Sequence, residues 1–505
     1  MNCETGELLS DHCQMETGEL LSDQVRANGR ITTATFSAGG QLMWLGRRLD
    51  MGKQVLGFSV EGSKIKIRAV VEASPGICGF SCKTTLIRKT FTLEFLSDDC
   101  LRVWTQKLQE NLDSLGRPKR LFIFVNPYGG KKSASKIFVN DVKPLLDDAN
   151  VEYTIQETKH RSHAKEVVQS LDLAKYDGIV CVSGDGILVE SESTAHAFQV
   201  LNGLLVRGDW DSAIKIPLGV VPAGTGNGMV KSLLDSRGQP CSPFNATLAI
   251  IRGHKRSLDV ATISQGDTRF FSLLMLAWGL VADIDIESEI YRWMGSARLD
   301  FYALQRIFGL RSYNGSICFV PAPGYESYGE PLDLEKEVIV EGESQLTSDD
   351  GPLSTREYGY RGPKVDLKSL NWRKIDGPFV SIWLHNVPWG GENTLAAPDA
   401  EFSDGCLDLV MIKDCPKCSL LKLMTGLNDG SHVKSPYVSY LKVKAFILQP
   451  GTRTDDPSKG GIIDVDGEVL ARGRGAYKWQ EKSLMSYDKL LIKVDQGLST
   501  LFAPN

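Results

Sequence analysis

RLFIFVNPYGGKK, residues 120–132, opens on an unbroken apolar run and closes on a proline, two glycines and two lysines. A run without polar alternation suits a strand buried on both faces, the habit of parallel sheets. The turn Asn126-Pro127-Tyr128-Gly129-Gly130 leads into a predicted helix. Its backbone N–H groups, with the helix N-terminus behind them, favour an anion, and phosphate is the usual one. The same arrangement recurs twice. DGIVCV (177–182) runs into Ser183-Gly184-Asp185-Gly186, which sets one carboxylate between two glycines, and IPLGVV (216–221) runs into Pro222-Ala223-Gly224-Thr225-Gly226-Asn227. One such turn is more often structural than not. Three at the carboxyl ends of parallel strands converge on the crevice where open α/β sheets bind ligands. No Walker motif and no protein-kinase motif occurs, so this is a phosphate cradle of another kind.

Outward from these turns, helical stretches (136–149, 163–173 and the run up to Arg207) alternate with strand-like ones such as VEYTIQET (151–158). The alternation predicts a parallel-sheet α/β nucleotide-binding domain over 118–257. From Leu258 the runs are strand-rich, including FVSIWLHN (379–386), LDLVMIK (407–413) and LLIKVDQG (490–497), and predict a mostly-β, sandwich-like second domain over 258–505. A polar acidic insert at about 324–369 reads as a long surface loop. Upstream, 31–117 holds β-prone runs such as KIKIRAVVE (64–72) and then LRVWTQKLQENL (101–112), with Leu101, Trp104, Leu108 and Leu112 at helical spacing. Strands closed by one helix resemble a pleckstrin-homology-like domain. Residues 1–30 carry the octapeptide ETGELLSD twice, at 4–11 and 16–23, and read as a mobile acidic tail.

A chain of 505 residues is expected to fold as two or three units, and its net charge of −5 gives no general basic field for nucleic acid. The longest apolar stretch, 270–282, is well short of the ~20 residues of a membrane-spanning helix, so any lipid is met peripherally. The acidic N-terminus lacks the features of a secretory signal, which predicts a cytoplasmic protein. Eleven scattered cysteines suggest reduced thiols; Cys78/Cys82 and Cys415/Cys418 lack neighbouring histidines and are not read as zinc ligands.

NPYGG, SGDG and PAGTGN, in this order and spacing, resemble the diacylglycerol-kinase-like catalytic domain shared by sphingosine, ceramide and diacylglycerol kinases. AWGLVADIDIESEIYRWMGSARLDFY (277–302) looks like the sphingosine-kinase opening of the second domain, and the likeness returns at 382–412 and at IIDVDGE (462–468), nearest to the plant type. The resemblance implies an ATP-dependent kinase acting on the primary hydroxyl of sphingoid bases. Asp185 would take the proton from that hydroxyl as it attacks the γ-phosphorus, a role in which positioning outweighs basicity. Asn126, Pro127, Tyr128, Thr158, Lys159, His160, Arg161, Ser162, Glu190, Gly224, Thr225 and Gly226 would contact ATP. Arg292 and Arg298 would reach its phosphates. Asp466, Gly467 and Glu468 would close the nucleotide site, with Asp466 a candidate for Mg²⁺. Ser183 to Gly186 would meet the lipid head, and Asp285 would pair with the ammonium that a free base carries and that ceramide and diacylglycerol lack. Without the resemblance, Asp283 and Asp285 also fit a solvated helix start. His163 suits a capping or packing role, and Lys131 and Lys132 a solvated face. The apolar run 273–280 with Trp278 serves as core, as lipid wall, or as both.

This sequence departs from the pattern where ILVE (187–190) and VLNGLL (200–205) are separated by SESTAHAFQ (191–199). Either the insertion is looped out, with the helix re-initiated after it, or it disturbs Glu190 and the support of Asp185 and leaves an inactive lipid-binding isoform. Retention of Asp185, Arg292, Arg298 and Asp466 favours activity. Ceramide kinase is the enzymatic rival, and the ADIDIESE segment counts against it. NAD kinases and phosphofructokinases share related turns but have no use for Asp285 beside a lipid-length apolar segment.

Overall fold

The computed structural model describes residues 18–73, 86–127, 133–160, 162–183, 196–224, 226–295, 297–332 and 359–505, in two units. The first unit is built on alternation. Strand Lys64–Glu72 buries Ile65, Ile67 and Ala69 while Lys64, Lys66 and Arg68 face outward, so one sheet face is apolar. Seven strands, β1 (Glu19–Ala27), β2 (Arg30–Ser37), β3 (Gln41–Trp44), β4 (Arg47–Asp50), β5 (Val55–Glu61), β6 (Lys64–Glu72) and β7 (Leu86–Phe95), pair antiparallel in the order 4-3-2-1-7-6-5. The helix Asp98–Ser114 begins with two aspartates, which suit its N-terminus, and buries Trp104 and Leu108 against the apolar face. Trp104 Nε1 donates to Asp23 Oδ2 at 2.8 Å.

That bond corrects the reading of residues 1–30 as a tail. The second ETGELLSD copy lies partly in β1, which sits mid-sheet between β2 and β7. Leu21, Asp23, Val25 and Ala27 fall on one face by period two, and Asp23 is there to receive the Trp104 indole. The first copy lies outside the described residues.

In the second unit, β8 (Arg120–Val125), β9 (Glu152–Glu157), β10 (Gly178–Ser183) and β11 (Leu218–Pro222) form a parallel sheet in the order 9-8-10-11, with helices between consecutive strands. All six residues of β10 and all five of β11 are buried, as continuous apolar runs require. Gly178 packs so tightly that a Cβ there would lie 2.5 Å from the Phe502 ring. β12 (Lys255–Gln265), β13 (Thr268–Ser272) and β14 (Met275–Gly279) begin the antiparallel part. The strand Leu490–Phe502 joins the two parts, pairing with β12 and with the strand Ser439–Arg453, and meeting β11 at Leu501 and Leu218.

Two expectations change here. The insert is shorter than 324–369 at both ends. Glu330–Pro331 pairs with the strand Arg373–Asp376, and Tyr360 lies 4.4 Å from the Trp210 ring and hydrogen-bonds to Asp495. Polar composition hid this aromatic anchor. The helix expected to restart after residue 199 starts at His196, so the end of the insertion belongs to its first turn and Gln199 is buried in it.

Candidate active site

The strand order decides where a ligand sits. From β8 the chain passes to β9 on one side and, by way of β10, to β11 on the other. The topological switch therefore falls between β8 and β10, and the crevice opens at their carboxyl ends. Register brings the turns abreast: Val125 pairs with Val182 and with Glu157, and Ser183 pairs with Pro222. Adjacent strands lie ~4.8 Å apart, so Asn126, Ser183 and Ala223 leave the sheet within one ligand's width. Asn126 donates its N–H to Val182 O at 3.3 Å, and Ala223 N–H donates to Ser183 O at 3.1 Å. Thr158 N–H likewise donates to Val125 O at 3.1 Å. Asn126, Thr158 and Ser183 are all buried.

The third turn is held by a contact that sequence reasoning missed. Asn227, at φ +70°, accepts from Gly224 N–H at 3.3 Å and donates through Nδ2 to Gly224 O at 3.1 Å and to Glu392 Oε1 at 2.7 Å. A Cβ on Gly228 would lie 2.5 Å from Trp389 O, so the helix after the turn rests directly on the WGGE segment. Lys159 N–H donates to His163 Nδ1 at 3.1 Å, and the His160 and His163 rings lie 4.9 Å apart, which agrees with a local packing role for His163. Ser162, at φ +69°, precedes the helix His163–Ser170. Gly226 is described. Tyr128, Lys131, Lys132, Arg161, Gly184, Asp185, Gly186, Glu190 and Thr225 lie outside the described residues, as does the Arg292 side chain.

Across the antiparallel part, the helix Leu280–Glu287 presents buried carboxylates at 283, 285 and 287, not a solvated start. Asp283 Oδ2 accepts from Tyr313 Oη at 2.6 Å and faces Arg306 and Arg311, each at 3.5 Å. Glu287 accepts from Arg311 and Tyr302, each at 2.7 Å. Burial and the nearby Glu287 push Asp283 up to about 6 against those arginines. Asp285 is different. It is 6% exposed, and neither of its carboxyl oxygens accepts from an arginine, a tyrosine or a backbone N–H. Burial raises its pKa, while the charge of Arg298 pulls the other way. Arg298 is itself buried and donates to Ser288 Oγ at 2.8 Å. Leu273 to Leu280 and Trp278 are buried core, with Trp278 Nε1 donating to Tyr487 Oη at 2.9 Å.

Asp466 and Gly467, at φ +55° and +79°, tip a two-residue hairpin between the strands Ile462–Val465 and Glu468–Arg472. Asp-Gly is the pair that such turns prefer. The Asp466 carboxylate faces inward and is 1% exposed. It accepts from Ser272 Oγ (2.8 Å), Leu273 N–H (3.1 Å), Leu274 N–H (3.0 Å) and Met275 N–H (2.9 Å). Burial pushes it up to about 7 against these four donors. With both oxygens engaged and the side chain buried, it does not fit the role of a Mg²⁺ ligand. Among the described residues no three His, Cys, Asp or Glu side chains converge as a metal site.

The chain matches known proteins along most of its length. The diacylglycerol kinase catalytic domain matches residues 120–263, and the YegS C-terminal NAD kinase beta sandwich-like domain matches 365–479. Sphingosine kinase 1 of Arabidopsis thaliana is 59% identical over 484 residues, covering 95% of this chain and 96% of its own. The chain belongs to the sphingosine kinase family. Sphingosine kinase 2 of the same plant is 58% identical over 482 residues, covering 94% of this chain and 96% of its own. Human sphingosine kinase 1 is 30% identical over 368 residues, covering 70% of this chain and 87% of its own. For a sphingosine kinase relative, the informative contrast lies within one helix. Its first and last carboxylates accept from arginine and tyrosine, while the middle one accepts from neither.

Proposed function

We propose that this protein transfers the γ-phosphoryl group of ATP to the primary hydroxyl of sphingoid long-chain bases, giving their 1-phosphates. The observation that carries the substrate class is Asp285, buried without a donor from arginine, tyrosine or backbone, beside Asp283 and Glu287, which each accept from tyrosine and face arginine. An open buried carboxylate is costly unless a cation completes it. The ammonium of a free base, on the carbon next to the one that bears the reacting hydroxyl, is such a cation, whereas ceramide offers a neutral amide. Asp185, two residues after Ser183 in the sequence, is the proposed base that takes the proton from the hydroxyl as its oxygen attacks the γ-phosphorus. The adjacent turns at Asn126 and Gly224, with Thr158 to Ser162, Glu190, Arg292 and Arg298, are the proposed ATP contacts. Mg²⁺ is proposed to arrive on the ATP phosphates, since that ion keeps several waters and seldom needs an all-protein cage. For Asp466 and Gly467 the hairpin supports a positioning role in place of direct nucleotide contact.

The helix Ala297–Phe308 supports peripheral membrane association. Arg298, Tyr302 and Arg306 point inward, while Phe301, Leu304 and Phe308 form an outward apolar stripe at i, i+3 and i+7. Trp293, 81% exposed, precedes it. Apolar side chains gathered on an outer face suit a lipid surface, and this one lies on the helix whose inner face approaches the amine pocket. No helix among the described residues is long and apolar enough to cross a membrane. The proposed location is cytoplasmic, peripheral on intracellular membranes. The seven-stranded sheet closed by one helix supports reading the first unit as pleckstrin-homology-like.

The test is transfer of labelled phosphate from ATP, with Mg²⁺, to a matched panel of sphingoid base, ceramide and diacylglycerol, using the full chain and a variant lacking residues 191–199. Transfer to the free base by the full chain is expected. Equal use of all three lipids would remove the amine argument. Activity only in the deletion variant would favour the inactive lipid-binding isoform.

A further inference from the structure

Asp285 does not face an apolar wall. Opposite it stands Asp464, on the strand Ile462–Val465, where it pairs with Ala277 of β14 and is 0% exposed. The two carboxyls lie within hydrogen-bonding reach of one another. No other described residue donates to either, so four carboxyl oxygens are turned together in the interior with only each other as partners. The charged groups around the pair are few: Arg298 beside Asp285, and Asp466 and Glu468 on the hairpin beyond Asp464. Burial, then the charge of Asp285, raises the Asp464 pKa well above the ordinary carboxylate range. Arg298 offsets one negative charge, and a second cation is wanted.

We propose that Asp464 is a second specificity-determining carboxylate, and that Asp285 and Asp464 together grip the substrate ammonium. The inference rests on the reading of Asp285 given above and extends it to a residue on a different strand. A primary ammonium has three N–H donors. One carboxylate leaves donors over where burial excludes water, while two carboxylates take more of them and fix the head group about its C–N bond. Pairing also explains why a carboxylate so deep in the core is tolerated. A purely structural residue would have its oxygens occupied, as Glu287 and Asp466 do.

The test compares Asp464→Asn, Asp464→Ala and Asp285→Asn, with dihydrosphingosine in mixed micelles as the lipid and thermal unfolding as the second readout. Each variant is expected to raise KM for the base about tenfold, a change of ~1.4 kcal/mol in binding, with KM for ATP within about twofold of the parent. Removing one of two mutually facing buried carboxyls should leave the unfolding midpoint unchanged or higher. If Asp285→Asn raises KM for the base and neither Asp464 variant does, the single-carboxylate reading survives and this proposal is overturned. If none of the three changes it, both readings fail. An unfolding midpoint lowered in both Asp464 variants, with KM for the base unchanged, makes Asp464 structural and overturns the proposal.

Discussion

Replacing Asp466 with alanine removes the acceptor that gathers residues 272–275 beneath the hairpin. Its Oδ1 takes Ser272 Oγ and the N–H groups of Leu274 and Met275, and its Oδ2 takes Leu273 N–H. At 1% exposure, water cannot easily replace it. The serine hydroxyl can rotate to another acceptor, but three backbone N–H groups cannot. Each buried donor left unsatisfied costs ~1–3 kcal/mol. Local relaxation, and relief from burying a carboxylate, bring the sum to the low end, about 3–5 kcal/mol. For a unit of this size that corresponds to a fall of roughly 4–6 °C in the unfolding midpoint. Scanning calorimetry at one fixed rate, on the ligand-free full chain, measures it, with ATP KM taken on the surviving enzyme below the transition. An unfolding midpoint within a degree or two of the parent, together with a large rise in ATP KM, would refute the clamp and restore Asp466 to the nucleotide.

Asp185→Asn should abolish turnover while leaving binding of a fluorescent ATP analogue largely in place; substantial residual turnover would remove Asp185 from the base role. Asp23→Ala should destabilise the first unit by ~1–3 kcal/mol, because the fully buried Trp104 loses the acceptor for its indole N–H; tryptophan fluorescence in a urea titration reads this out. Changing Trp293 and Phe308 together to serine should reduce partition onto anionic vesicles severalfold while sparing turnover on micellar base, as measured by vesicle sedimentation. Burial lowers the buried His385 imidazole to about 3, so in acid the unfolded chain takes up a proton that the folded one refuses. Its contribution is present above the unfolded pKa of ~6.5 and is lost by about 1.4 kcal/mol per pH unit below it, down to pH ~3. Wild-type stability should therefore fall faster than that of a His385→Gln variant across this window in denaturant titrations, and parallel profiles would sink the assignment.

The parallel sheet was legible because RLFIFV, GIVCVS and LGVVP are apolar without alternation, and only strands covered on both faces need that. The turns were legible because each follows such a strand immediately. β1 was not, since its inward positions include Asp23, whose reason for being there is an indole eighty-one residues away. The same distance problem hid Tyr360 behind polar neighbours and hid the engagement of Asp466 with residues some 190 positions earlier. Composition records what a segment would do alone, and these residues act through partners that no local window contains. Asp285 stood out in the sequence by resemblance. Its difference from Asp283 and Glu287 became visible only when the tyrosines and arginines of the following segments were in place.

The seam between Leu218 and Leu501 bears on how the protein is made. β11 leaves the ribosome with its outer edge bare, and the strand that covers it, Leu490–Phe502, is among the later segments synthesised. At ~5–20 residues per second, that edge waits tens of seconds, long enough for a nascent sheet to find the wrong neighbour. Holding chaperones should therefore associate with nascent chains in the interval between these two strands. Phosphotransfer competence should also come late in translation, so that a half-made chain holding all three phosphate turns does not yet hold a finished sheet.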